Sequence, residues 1–469
     1  MHFYGARLFA AHFLFALKIL ARRGKDKNMK RFKKMLSLLL VGVIAVTSLF
    51  CGTVTASAAS SKASILFLEI SKIDNKATDI ISLGQDIYMF AAEKYRAIYR
   101  IGSSEIKKWR NTGKLKATKI TIDSEAAKYN WTYNSSLTLK YSDYMVLSYM
   151  DKENIQHNCV LKYDSSRNML SEIYTTINNI GVSVNGDMSE YVWDGNSKKL
   201  QLKILNSKAK LVKQLSYDFS MSDCNAWWRP LYSDNKYALV SYYNDSDIAQ
   251  GNDILIDKNG KEKKIDDLLY GAVYRISQGT NYYGFACVPF ASMRYIYSTD
   301  KNKMYNLSSA SWIYDNKKEY DLCGIKEQLY GTNGIGIYEH TDTSDPNNIK
   351  NEYKYVLINV NSDIFLSDIY DYIVSEDNGK TYLAKNSNNT WCYLNSKGKK
   401  LATFDCADFF CGNGKYAPVI KGGKIYLINK SMKKVSQTIK ADNNCTIWTL
   451  NDELFAFTKS GKKYIMTNK

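Results

Sequence analysis

Proline and histidine are both scarce: this chain of 469 residues has four of each. Two of the histidines, His2 and His12, stand ahead of Met29, which leaves His157 and His340 for the rest of the chain. Metal centres and catalytic dyads built from several histidines are therefore nearly excluded. With so little proline, turns must rely on Asn, Asp and Gly, whose side chains or missing Cβ allow the tight backbone a turn needs. The sequence has no Cys-x-x-Cys, no Gly-x-Ser-x-Gly, no phosphate loop and no His-Glu-x-x-His, so the familiar metal, hydrolase and nucleotide signatures are missing. No cofactor is expected.

The formal net charge is +18, but it is unevenly placed. Residues 1–58 hold ten of the 64 Lys and Arg and one acid, Asp26. The remainder is only mildly basic for its size. It has no concentrated basic run of the kind nucleic acid demands, so no nucleic-acid partner is expected.

Met29-Lys-Arg-Phe-Lys-Lys34 is cationic, Met35–Phe50 is apolar, and Ala56-Ser-Ala58 is small. That order is a secretion leader, with small side chains where a signal peptidase has shallow pockets. Residues 29–58 are read as the signal peptide, 1–28 as an upstream extension, and 59–469 as the exported domain, with no membrane association after cleavage. A retained apolar anchor and lipidation at Cys51 are the alternatives weighed against it. Eight cysteines follow the leader, from Cys159 to Cys445, scattered through the chain. They are expected mostly as buried small hydrophobes, with one or two bridges compatible with an oxidising compartment.

After residue 59, short runs rich in Tyr, Ile, Val and Leu alternate with Asn, Asp, Gly, Ser and Lys, the chemistry of strands and turns. The runs repeat. Ser375-Glu-Asp-Asn-Gly-Lys-Thr-Tyr-Leu is followed by Trp391-Cys-Tyr-Leu-Asn-Ser-Lys-Gly, and Gly412-Asn-Gly-Lys-Tyr-Ala by Lys424-Ile-Tyr-Leu-Ile-Asn. Nine anchors align, at Tyr88, Tyr144, Tyr191, Tyr237, Tyr283, Ile335, Tyr382, Tyr416 and Leu454, with steps between 34 and 56 residues. This period belongs to four-stranded blades stacked in a ring. The expectation is an all-β propeller of about eight blades, with seven as the alternative, since two short steps near the end suggest a degenerate unit. A β-sandwich is the competing fold. Ile65–Ile70 is an apolar strand with no unit of its own, and it is expected to complete the incomplete last blade, because an open ring would leave bare strand edges.

These repeats resemble those of TolB-like and WD40-like bacterial propellers over about residues 80–469, although the proline of the usual Ser-Pro-Asp-Gly turn is missing throughout. Those families include scaffolds, lyases and peptidase accessory domains, so the resemblance implies a fold and leaves the function open.

The long polar loops fall between second and third strands: Met150–Asn158, Tyr243–Gly251 and Tyr338–Asn348. They point to one elaborated face, with His157, Asp245, Asp247 and His340 as candidate ligand contacts. Glu339, Asp342 and Asp345 are weak candidates for a cation, without the spacing of a calcium loop. Trp227-Trp228-Arg229 is the densest aromatic and basic group, suited to stacking a sugar or base beside a hydrogen-bond donor, or to burial between blades. The expected function is an extracellular binding or scaffold protein whose partner is a protein or a cell-wall glycan. The alternative is a carbohydrate-active enzyme with carboxylates at the channel mouth.

Overall fold

The apolar runs lack the polar alternation of a half-exposed strand because inner strands such as Ile87–Ala92 and Tyr144–Met150 are buried on both faces. In Ile87–Ala92, Ile87 and Met89 enter one core while Tyr88 and Phe90 enter another. Successive strand side chains point to opposite sides, so a strand between two cores must be apolar at every position. The computed structural model describes residues 63–84, 86–133, 143–183, 185–218, 224–229, 237–244, 247–264, 282–285, 295–298, 303–342, 344 and 350–469, apart from some side chains within the strands between residues 224 and 330. The leader at 29–58 lies outside them. Among the described residues no helix is long and apolar enough to cross a membrane.

The strands form antiparallel meanders in chain order. Asp79–Gly84, Ile87–Ala92, Tyr95–Arg100 and Thr118–Asp123 make the first sheet. A parallel pairing joins its last strand to Met169–Thr176, the outer strand of the second sheet, so the two register as one eight-stranded sheet. A third runs from Asn179 to Asp218 and a fourth from Cys224 to Lys264. Three strands of a fifth lie between Tyr282 and Asn306. The sixth has five strands, from Trp312 to Phe365. The seventh spans Tyr372–Phe404 and the eighth Cys406–Lys440. The ninth comprises Ile447–Thr449, Phe455–Lys459 and Lys462–Asn468. Ile65–Glu69 pairs antiparallel with Lys462–Asn468 as its outer strand, so both ends of this unit share one sheet.

Hydrophobic clusters lie between consecutive sheets: first with second, second with third, third with fourth, fifth with sixth, and onward to eighth with ninth. A further cluster packs Leu454, Ala456 and Ile465 of the ninth sheet on Ile80, Tyr88 and Phe90 of the first. Sequential four-stranded meanders with cores interleaved between neighbours are the architecture of a β-propeller; a two-sheet sandwich would have a single shared core. With the eight-stranded sheet taken as its two antiparallel halves, the described residues carry nine sheets where eight were expected. The short steps after Tyr382 do not hide a degenerate unit. They hold complete sheets of two- to seven-residue strands joined by tight turns.

The turns follow the chemistry that scarce proline requires. Asn206, Asp257, Asn395 and Asn429 each accept, on one side-chain oxygen, the amides two and four residues on. Each is followed three residues later by a left-handed residue: Ala209, Gly260, Gly398 or Met432. The Asp257–Glu262 segment is thus a hairpin turn, as its Gly260 suggests. At Gly398 a Cβ would stand 1.8 Å from the Leu366 carbonyl oxygen, so the seventh sheet's turn can approach the sixth only with glycine. Cys159, Cys323, Cys392, Cys406, Cys411 and Cys445 are unbridged, and Cys159, Cys392 and Cys411 are buried.

Candidate functional site

In a meander, the first-to-second and third-to-fourth turns leave by one face, and the second-to-third turns leave by the other. His157 stands where the second-to-third hairpin of the second sheet re-enters its strand. Its Nε2 lies 2.7 Å from Asp151 Oδ2, and its ring stacks on Tyr149, which stacks on Tyr129. Asp151 Oδ1 also accepts the Glu153 and Ile155 amides. The His157 ring and these amides hold the Asp151 carboxyl below the usual range. This residue set shapes a hairpin. His340 Nδ1 is bonded to the Glu319 carbonyl at 2.8 Å and packs on Tyr320. Glu339 accepts from the Tyr353 hydroxyl, and Asp342 is held below its usual range by Ser344. Strand alternation sends Glu339 and His340 to opposite faces, so the three are not brought together, and among the described residues no group suited to a metal ion occurs. Asp345 and Asp245 lie outside the described residues. Trp227, Trp228 and Arg229 form a strand paired with Ser241, Val240 and Leu239, and Asp247 begins the next strand. Their side chains also lie outside.

The sixth sheet offers a site the sequence reading missed. Its additional strand, Trp312–Asp315, pairs with Lys318–Tyr330 at one edge, while Ile364–Phe365 forms the other. The sheet curls until Ile313 of the first edge shares a core with Val356 and Ile358 near the second. A groove of about 410 Å³ lies at these edges, and its lining includes Trp312, Tyr314, Phe365, Ser309, Ser367 and Asp368 together with the buried Ile313 and Val356. Ile313 points inward, so alternation turns Trp312 and Tyr314 out on the same side. They are 52% and 60% exposed, and Phe365 is 43% exposed. Aromatic rings left in water cost free energy that burial elsewhere in this chain avoids.

The groove walls are fixed. Asp363 accepts the Ser309 and Ala310 amides at 2.6 and 2.9 Å, and the buried Tyr338 hydroxyl donates to the Ala310 carbonyl at 2.8 Å. Ser367 Oγ accepts the Leu357 amide and donates to the Asp368 carbonyl. Lys354, 7% exposed, bonds Asp371 at 2.8 Å and Asp315, next to Tyr314, at 3.3 Å. Burial works against its charge, but these two carboxylates outweigh burial and raise its pKa. Such buried pairing holds the added strand over the sheet.

A second concentration of charge lies on the face of the first-to-second turns. There the helix α1 (Ser103–Thr112), inserted between the third and fourth strands of the first sheet, packs Ile106 and Trp109 into the core shared with the ninth. Its Arg110 bonds Glu453 at 2.8 Å and Thr467 at 2.9 Å. Asn451 donates to the buried Tyr88 hydroxyl. Burial pushes the carboxyls of Asp86 and Asp452 up. Glu105 is held down, because the Ser104 hydroxyl and the Glu105 and Gly102 amides outweigh its burial. With Arg100 and Arg110 engaging Glu105 and Glu453, the arrangement clasps the first sheet to the last.

No family model matches the chain, and no curated protein does. Among solved structures it is similar to a eukaryotic initiation factor at 11% identity and TM-score 0.43, covering 82% of this chain and 93% of that one. It is also similar to Sqt1 of Saccharomyces cerevisiae at 8% identity and TM-score 0.34, covering 87% and 99%. BamB of Moraxella catarrhalis follows at 9% identity and TM-score 0.33, covering 72% and 98%. These likenesses are too loose to carry the fold assignment, which rests on the strand order and the interleaved cores.

Proposed function

We propose that this β-propeller is an exported glycan-binding protein and that the sixth-sheet groove is its recognition surface. The observation that carries this reading is the set of three exposed rings, Trp312, Tyr314 and Phe365, around a groove with polar rims. A pyranose has an apolar C–H face and an equatorial belt of hydroxyls. Rings receive the first, and the side chains of Ser309, Tyr314 and Asp368 suit the second. Stacking contributes about 0.5–1.5 kcal/mol per aromatic contact beyond area burial. An open groove with two or three such contacts therefore binds weakly, with a Kd of about 0.1–1 mM. That regime suits attachment to an insoluble polymer, where many sites compensate for low affinity. The leader at Met29–Ala58 supports an extracellular setting. Co-sedimentation with insoluble cell-wall polysaccharide tests the proposal. The native chain is expected in the pellet and the Trp312→Ala/Tyr314→Ala double variant in the supernatant; equal sedimentation of both would refute it.

An enzyme reading draws on a different observation, the raised carboxyls of Asp86 and Asp452 beside Glu453. A raised carboxyl is what a general acid needs. Release of reducing sugar from a soluble glycan, abolished by Asp86→Asn, would support it; no release by the native protein would dismiss it.

A further inference from the structure

We infer that the groove selects a glycan bearing free amines, a glucosamine-type oligosaccharide, and that Asp368 is the residue that discriminates. This rests on the glycan-binding reading and adds a ligand class to it. The groove's lining residues include one carboxylate, Asp368, and no Lys or Arg, in a domain that is itself mildly basic after residue 58. The local sign therefore opposes that of the whole, which is unfavourable for a uronate or a phosphate-bearing polymer at this place.

The polar inventory points the same way. Asp363, beneath the rim, already accepts two amides from Ser309 and Ala310. The Ser367 hydroxyl both accepts from Leu357 and donates to the Asp368 carbonyl oxygen, so its hydrogen is committed. The exposed Asp368 carboxylate can only accept. A ligand group facing it must donate, and a protonated amine donates with charge assistance. The exposed rings of Trp312, Tyr314 and Phe365 favour the same cation through their π faces. An acetylated amine loses both the charge and two of its three donors. Lys400, on the outer strand of the seventh sheet, acts with Asp368 on the Cys392 thiol in opposite senses. It is not part of the lining, so Asp368 sets the charge within the groove.

Isothermal titration of the protein with three hexamers of equal length tests this: glucosamine, N-acetylglucosamine and glucose, at a pH where the amine is protonated. Hexalysine serves as a fourth ligand. The glucosamine hexamer is expected to bind at least about tenfold more tightly than either neutral hexamer. Asp368→Asn should remove that preference by weakening the glucosamine hexamer far more than the neutral hexamers, while Trp312→Ala weakens all three alike. Equal binding of the three hexamers, or a preference that survives Asp368→Asn, would overturn the inference and leave the glycan reading intact. Hexalysine binding as tightly as the glucosamine hexamer, with the same loss in Asp368→Asn, would assign the groove to basic peptides instead. Absence of binding by every hexamer would overturn the glycan reading and this inference with it.

Discussion

The sixth and seventh sheets grow from the same repeat and end differently. In the seventh, four strands use their rings internally: Tyr382 and Tyr393 are fully buried, and Trp391 packs edge-on to Tyr372 beneath Lys385. In the sixth, a fifth strand is added at the edge, and its Trp312 and Tyr314 remain in water. The seventh sheet spends its aromatic residues on the cores it shares with its neighbours. Where the repeat is exceeded, the extra strand gives Ile313 to the core shared with the fifth sheet and leaves the rings of Trp312 and Tyr314 in water. The regular sheet should therefore be sensitive in stability and silent in binding, and the elaborated sheet should show the reverse.

The largest expected effect is on the regular side. Asp377, fully buried, accepts from the Thr381 amide and hydroxyl, from Ser375 and from Lys430. Asp377→Ala leaves these donors unmatched and should lower the unfolding free energy by about 3–5 kcal/mol in a denaturant titration. A loss below about 1 kcal/mol would mean that the turn is not the structural unit described. Next comes the joint between the two sheets. Lys354→Met removes the cation shared by Asp315 and Asp371 and should both destabilise the chain and weaken glycan binding, with Lys354→Arg restoring binding. Binding unchanged in Lys354→Met would detach the added strand's position from recognition. Trp312→Ala, at an exposed ring, should move stability by no more than about 0.5 kcal/mol while reducing glycan affinity about tenfold.

The smallest effect concerns pH. Lys318 and the Tyr320 hydroxyl hold the Glu352 carboxyl below its ordinary value. A depressed folded pKa contributes stability above the unfolded value of about 4.3, and that contribution fades as pH falls through the folded pKa. Glu352 is 44% exposed, which limits the gain to well under 1 kcal/mol. Glu352→Gln should therefore lower stability slightly at neutral pH and match the native chain at the acid end of a melting series. A constant offset across the series would place the effect in packing.

Much of this fold is legible in the sequence because burial on both strand faces leaves an uninterrupted apolar run, and because Asn, Asp and Gly mark each tight turn. The nine anchors fall in nine sheets or, for Leu454, one residue before a strand. Ile65–Glu69 is recognisable as the partner of Lys462–Asn468 because it is apolar and has no unit of its own. The site is less legible. His157 and Asp151 are the right residue types at the right hairpin, yet nothing local tells that their contacts close a ring stack. The 52-residue step from Tyr283 to Ile335 was the available signal for the groove, since an over-long step must hold an extra element. The 56-residue step from Tyr88 likewise holds α1. Trp312-Ile-Tyr314 still reads as one more strand, because only the curl of the sheet brings Phe365 and Asp368 opposite it.

Hydrogen–deuterium exchange with and without a saturating glucosamine hexamer tests the central claim most directly, since it reports where the ligand sits. Slowed exchange confined to residues 309–315 and 364–369 is the expected result. Protection of the second-to-third hairpins around 151–157 instead, with those two segments unchanged, would contradict the account and return the recognition surface to the opposite elements of the propeller.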